Sequence, residues 1–79
     1  MITARQSRAA RALLGWTQET LAEKARVSLT ALKHLESESG LDVYETTRDQ
    51  VRWAFEREGI VLLNSDQGVG VLLVHDGTG

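Results

Sequence analysis

The sequence predicts a mainly α fold, a bundle of about four helices closed by a C-terminal β-hairpin, in a single domain over residues 1–79. Three observations predict it. Up to residue 59, apolar residues recur three and four positions apart, the spacing of helices with one buried face. Residues suited to helix ends, among them Gly15, Thr17, Ser28 and Gly59, divide that part into short segments. Beyond Gly59 the spacing gives way to two apolar runs, 60–63 and 69–74, separated by NSDQG. The helical part is 1–59 and the hairpin 60–74.

From Thr3 to Leu14 the chain is rich in helix formers, and Ala9, Ala12 and Leu13, with neighbouring Ala10 and Leu14, mark the expected apolar stripe. Gly15 ends this helix because glycine accepts positive φ at little cost. Thr17 caps a second helix whose buried stripe is Leu21, Ala22 and Ala25, and Trp16 plugs the corner between the two. Ser28 caps a third, with Leu32 and Leu35 on one face and Thr30, Lys33 and His34 pointing elsewhere. Residues 37–46, SESGLDVYET, lack periodicity and read as a loop that brings Leu41, Val43 or Tyr44 onto the core. Thr47 and Gln50 have capping-box spacing and open a fourth helix with Val51, Ala54 and Phe55 on its apolar face.

Both faces of each hairpin run are apolar, since Ile60 and Leu62 alternate with Val61 and Leu63, and Val71 and Leu73 with Leu72 and Val74. A lone two-stranded hairpin is marginal in water, and helices can cover only one of its faces. A second copy of the chain is the expected cover, because homo-oligomers usually associate about a two-fold axis and unpaired edges invite strand addition. The dimer interface is expected at Trp53, Ile60, Leu62, Val71 and Leu73. Trp53 lies about opposite Val51 on its helix, either at that interface or under the loop 37–46. The tail HDGTG is expected to fray.

A chain of 79 residues supplies one small core, which favours a partner subunit and argues against a large enzyme cleft. It has no cysteine, which excludes disulfides and thiolate metal sites and is compatible with a reducing cytoplasm. No apolar run approaches the roughly 18 residues of a membrane span, and MITARQSR lacks the apolar stretch of a signal peptide. The expected location is the cytoplasm, with no membrane partner. The net charge of -2 conceals an asymmetry. Residues 1–34 carry six Lys and Arg against two Glu, whereas residues 35–79 carry three Arg against nine acids. The basic half can attract phosphate while the acidic half faces away; ordinary solvated surface charge accounts for the split equally well.

Two helices joined by a turn of three or four residues, the second opening at a polar cap, have the layout of a helix-turn-helix, whose second helix lies in the DNA major groove. Leu21, Leu32 and Leu35 can lock the pair, leaving residues 28–34 as an exposed ridge that fits the groove. The stretch LLGWTQETLAEKARVSLTALKHLE resembles the Xre-type, lambda-repressor-like DNA-binding domains. The resemblance covers roughly residues 4–36, with Gly15, Thr17, Gln18, Leu21, Ala22, Val27, Ser28, Leu32, Leu35 and Glu36 in one register. It implies a lambda-repressor-like bundle, double-stranded DNA as partner, and a salt bridge between Arg11 and Glu36.

The same resemblance implies DNA contact at Gln18, Ser28, Leu29, Thr30, Lys33 and His34; Thr17 at the entry to the second helix and Arg26 in the turn are further candidates for DNA contact. Gln18 and its helix N-terminus would clamp a phosphate. Thr30 could then bond a base edge, Lys33 reach guanine or a phosphate, and Leu29 meet a thymine methyl. His34 could donate or accept, depending on its protonation. For each, a solvated helix residue is the alternative. Two departures stand out. The family usually has glycine where this chain has Arg26, and a left-handed non-glycine residue costs on the order of 1 kcal/mol. The turn therefore differs, or Arg26 is kept for a phosphate. Many relatives also add further helices where this chain has one helix and a hairpin.

Catalytic chemistry is not in evidence. His34 and His75 are far apart without a metal-ligand cluster, and no nucleophile, base and orienting acid stand out. The glycines of DQGVGVLL lack the strand-loop-helix context of a phosphate cradle and read as turn glycines. Neither an enzyme nor a cofactor is expected. The reading is a transcriptional regulator, a repressor, that binds a pseudo-palindromic operator as a homodimer through a recognition helix at 28–37. Two alternatives stay open: an antitoxin that represses its own promoter and holds a toxin protein on the hairpin, and an interaction module that keeps the fold without binding DNA.

Overall fold

The computed structural model describes residues 2–37 and 43–75. Helix α1 (Ala4–Leu14) opens with a reciprocal capping box, in which the Thr3 side chain accepts from the Gln6 amide and the Gln6 side chain accepts from the Thr3 amide. It closes at Gly15, whose φ of 69° is the left-handed value that glycine adopts readily. Helix α2 (Gln18–Ala25) is capped by the Thr17 hydroxyl, and α3 (Leu29–Glu36) by the Ser28 hydroxyl. A fourth helix, α4 (Glu45–Glu56), leads through a turn at residues 57–59 into the antiparallel strands β1 (Ile60–Ser65) and β2 (Gly68–Leu73).

Helix α4 starts two residues before the expected Thr47. Its N-cap is Tyr44, which makes no side-chain cap bond, and the Tyr44 carbonyl accepts from the amides of Thr47 and Arg48. Thr47 and Gln50 are thus interior to the helix and form no capping box. Val43 packs against the core, whereas Tyr44 is 83% exposed; Leu41 lies outside the described residues. The start is set by the backbone turn at Tyr44 and by Val43 reaching the core, with no side-chain oxygen at the cap.

The core joins Leu21, Ala22 and Ala25 of α2 to Leu32 and Leu35 of α3 and to Val51, Ala54 and Phe55 of α4. Trp16 stacks on Phe55 at a ring separation of 6.0 Å, so the corner after α1 is tied to α4. Ile2, almost fully buried, completes the core from the N-terminal side, and its carbonyl accepts from Arg48.

Helix α1 turns a different face inward from the one its alanines suggest. Gln6, Ser7 and Ala10 are buried, while Ala9, Ala12 and Leu13 are exposed. Burial of two polar residues is tolerable only when their groups are bonded. Gln6 Nε2 donates to the carbonyls of Leu63 and Gly70, at 3.1 Å each, and the Ser7 hydroxyl donates to the Glu36 carboxylate. Hydrogen bonding, not hydrophobicity, therefore selects this face.

The same contact decides the sidedness of the hairpin. Helix α1 packs on β2 and α4 on β1. In the strand register Ile60 faces Leu73 and Leu62 faces Val71. Ile60 is buried, and Leu62, Val71 and Leu73 are partly buried against the core. These four residues, expected at a dimer interface, therefore belong to the inner face. The outer face carries Val61, Leu63, Leu72 and Val74, between 40% and 51% exposed. Trp53 is half exposed on α4, with the Arg57 guanidinium 4.5 Å from its ring centre. No helix among the described residues is long and apolar enough to cross a membrane.

Gln6→Leu keeps the bulk of the side chain and removes its donors. We expect a loss of about 1–3 kcal/mol in urea unfolding. Amide exchange should quicken first in residues 60–73, because these are the residues Gln6 holds.

Candidate nucleic-acid interface

The α2–α3 pair is built from its caps inward. After α2, Arg26 adopts φ 59° and ψ 43°, the single non-glycine residue with positive φ among those described. The Val27 amide then donates to the Ala22 carbonyl, and Ser28 opens α3. Leu32 and Leu35 are buried, which leaves Thr30, Lys33 and His34 exposed at i, i+3 and i+4, a spacing that puts them on one face of the helix. Ser28 is exposed at the start of that helix. Leu29 is only half available, because its side chain packs against the core cluster.

Glu36 holds this face in place from behind. Its carboxylate, almost fully buried, accepts from Arg11 Nε and Nη2, the latter at 2.8 Å, from the Ser7 hydroxyl, and from Gln18 Nε2 at 3.1 Å. Arg8 donates to the Glu36 carbonyl, and Arg11 also donates to the carbonyl of Trp16. The end of α3 is therefore tied to α1 and to the first residue of α2 at a single point. Burial pushes the Glu36 carboxyl up, but the hydrogen bonds from Arg11, Ser7 and Gln18, together with the charge of Arg11, outweigh it. The net result lies below the usual glutamate value.

The candidate residues are thus of three kinds. Ser28, Thr30, Lys33 and His34 are exposed on α3, and Arg26 is exposed in the turn. Thr17 and Gln18 stand at the N-terminus of α2, where the helix dipole favours an anion, but both side chains are engaged internally: Thr17 caps the helix and Gln18 bonds Glu36. Leu29 contributes partly to packing. The sequence pattern does not single out one further exposed residue beside this face. Tyr44 borders a shallow cleft with Ala31 and His34 of α3. An aromatic residue in an unpatterned stretch reads as a core residue, so only the backbone path could reveal it.

Two short helices, a tight turn and an exposed second helix define a helix-turn-helix. Residues 8–41 match the family model described as helix-turn-helix, of the Xre, lambda-repressor-like kind. No curated protein shows a significant match to the chain.

Two outcomes follow for this unit. Glu36→Gln should cost about 3 kcal/mol at neutral pH, because it leaves the partly buried Arg11 without its counter-charge. Since the folded value of Glu36 is depressed, its ionisation adds stability that is complete above the unfolded glutamate value of about 4.3 and is lost as pH falls through the lower folded value. Thermal unfolding of the native chain should therefore fall more steeply than that of the variant across this acid window. Arg26→Gly should raise stability by on the order of 1 kcal/mol by relieving the left-handed backbone. It should also weaken DNA binding; unchanged affinity in a titration would remove Arg26 from the interface.

Proposed function

We propose that the protein is a sequence-specific, non-enzymatic transcriptional regulator of the cytoplasm, a repressor that binds a pseudo-palindromic operator as a homodimer. The observation that carries this reading is the exposed Thr30, Lys33 and His34 face of α3, held from behind by the buried Glu36 cluster within the helix-turn-helix segment. Thr30 bonds a base edge, Lys33 reaches guanine or phosphate, and His34 donates or accepts at the flank of the site. Ser28 and the α2 N-terminus at Thr17 and Gln18 meet phosphate, as does Arg26. Gln18 fixes the geometry through Glu36 and presents its backbone to the phosphate. Leu29 contributes the edge that the core leaves uncovered.

Affinity then comes largely from phosphate contacts and falls steeply with salt. Repression is the simpler regulatory outcome, because occluding a promoter requires binding alone. The two half-sites lie about one helical turn apart or a multiple of it.

Selection of bound sequences from a random duplex library tests this, with Thr30→Ala and Lys33→Ala run beside the native chain. The native protein should enrich a site with two-fold symmetry, and both substitutions should weaken or change it. If the folded protein enriches nothing at low and moderate salt, the reading fails.

A further inference from the structure

The proposed reading face extends past α3. Its last exposed member, His34, borders a cleft of about 130 Å³ with Ala31 of α3 and with Val43, Tyr44 and Thr47 at the start of α4. Sites for small organic ligands run from about 300 Å³ upward, so this cleft suits a single small group. His34 and Tyr44 are exposed, and Thr47 is half-buried. Among the described residues no carboxylate lines the cleft, and its polar side chains are an imidazole, a phenol and a hydroxyl, all able to donate. An anion that only accepts hydrogen bonds is the matching occupant. The cleft is continuous with the α3 face, where exposed Lys33 stands next to His34.

Unlike the Gln18 amide, which is bonded to Glu36, the His34 imidazole has no hydrogen-bond partner among the described residues; the His34 carbonyl accepts from Ser37. The charged groups of neighbouring helices are turned elsewhere. Arg8 and Arg11 of α1 meet α3 at Glu36, and no titratable side chain of α2 lines the cleft. On α4, Glu45 and Arg48 border a separate cleft with Ile2. Lys33 beside it and Tyr44 across the cleft are the remaining titratable neighbours.

We propose that this cleft seats a phosphate of the duplex backbone and that His34 holds it as an imidazolium, so that DNA binding takes up a proton. A neutral imidazole has one N–H and one acceptor nitrogen, whereas the charged ring has two N–H donors. A phosphate oxygen accepts and carries negative charge, so it favours the charged ring. Histidine is the side chain whose charge ordinarily changes between about pH 5 and 8, and duplex affinity should therefore rise as pH falls through that range. The fold withstands the same change, because the stability that Glu36 adds is complete above about pH 4.3.

This inference rests on the regulator reading, and the test separates the two. The chain has two histidines, so His34→Gln and His75→Gln make a matched pair, each checked for a native circular-dichroism spectrum. A mixed-sequence duplex serves as the probe, because phosphate contacts carry no sequence information. Affinity is measured over a range of salt at about pH 8 and about pH 5.5, on either side of the histidine range. The native chain and His75→Gln should bind about tenfold more tightly at the lower pH, as one hydrogen bond to a charged group implies. Their affinity should also fall more steeply with salt there, by about one unit in the log–log slope, since one more phosphate is neutralised. His34→Gln should show neither change. Tyr44→Phe should bind roughly threefold or more weakly at both pH values, having lost one neutral donor.

A pH dependence that survives in His34→Gln or disappears in His75→Gln would overturn the proposal. So would a pH effect with an unaltered salt slope, which would put a base at His34 in place of a phosphate. Native affinity in Tyr44→Phe would overturn it as well, by placing the phosphate outside the cleft. Duplex binding that is equal at both pH values would sink the proton uptake and leave the regulator reading standing, whereas no duplex binding at either pH would sink both.

Discussion

The interaction on which the rest depends is the bonding of one buried carboxylate. Glu36 is the last residue of α3, and its oxygens are reached by donors from α1 and from the start of α2. A buried carboxylate is tolerable only when its lone pairs are filled and its charge is countered, so any arrangement of these helices that leaves Arg11, Ser7 or Gln18 out of reach is penalised. The leucines of α2 and α3 supply most of the burial, but apolar packing permits sliding and rotation. The directional bonds at Glu36 do not. They turn a small bundle into a platform on which Thr30, Lys33 and His34 hold a defined outward direction.

A second, adjacent linkage extends that platform to the C-terminal hairpin. Gln6 accepts from Thr3 at the start of α1 and donates to the facing carbonyls of β1 and β2. One side chain thus caps a helix and secures a sheet. The consequence is sidedness: the Ile60 and Leu62 face turns inward, and the Leu63 and Leu72 face is left to solvent. The open side of the hairpin and the exposed face of α3 are consequently linked through two consecutive residues of a single helix.

The limits of pattern reading can be seen in a pair of identical spacings. Threonine followed three residues later by glutamine occurs at Thr3 and Gln6 and again at Thr47 and Gln50. The first is a working capping box, and the second lies inside α4. Nothing local separates them. What differs is the chain before each one: at the fourth helix, Val43 packs on the core and the backbone turns at Tyr44, so helix begins ahead of the threonine. The alanines of α1 mislead similarly. Small apolar residues are cheap to expose, whereas Gln6 and Ser7 are buried because distant residues complete their hydrogen bonds.

By itself the sequence determined the features that local chemistry controls: the Gly15, Thr17 and Ser28 ends of the helices, the buried stripes of α2 and α3, and the change to a hairpin after Gly59. The resemblance over the first half placed Arg11 beside Glu36, and they are paired. Tertiary structure alone decided which face of α1 is buried, which side of the hairpin is left open, how Gln18 is engaged, and that Leu29 leans on the core while Tyr44 does not. The physical reason is common to all of these. Caps and periodicity depend on residues within one helical turn or one strand pair, whereas a buried polar group or a two-sided apolar strand takes its place from partners tens of residues away.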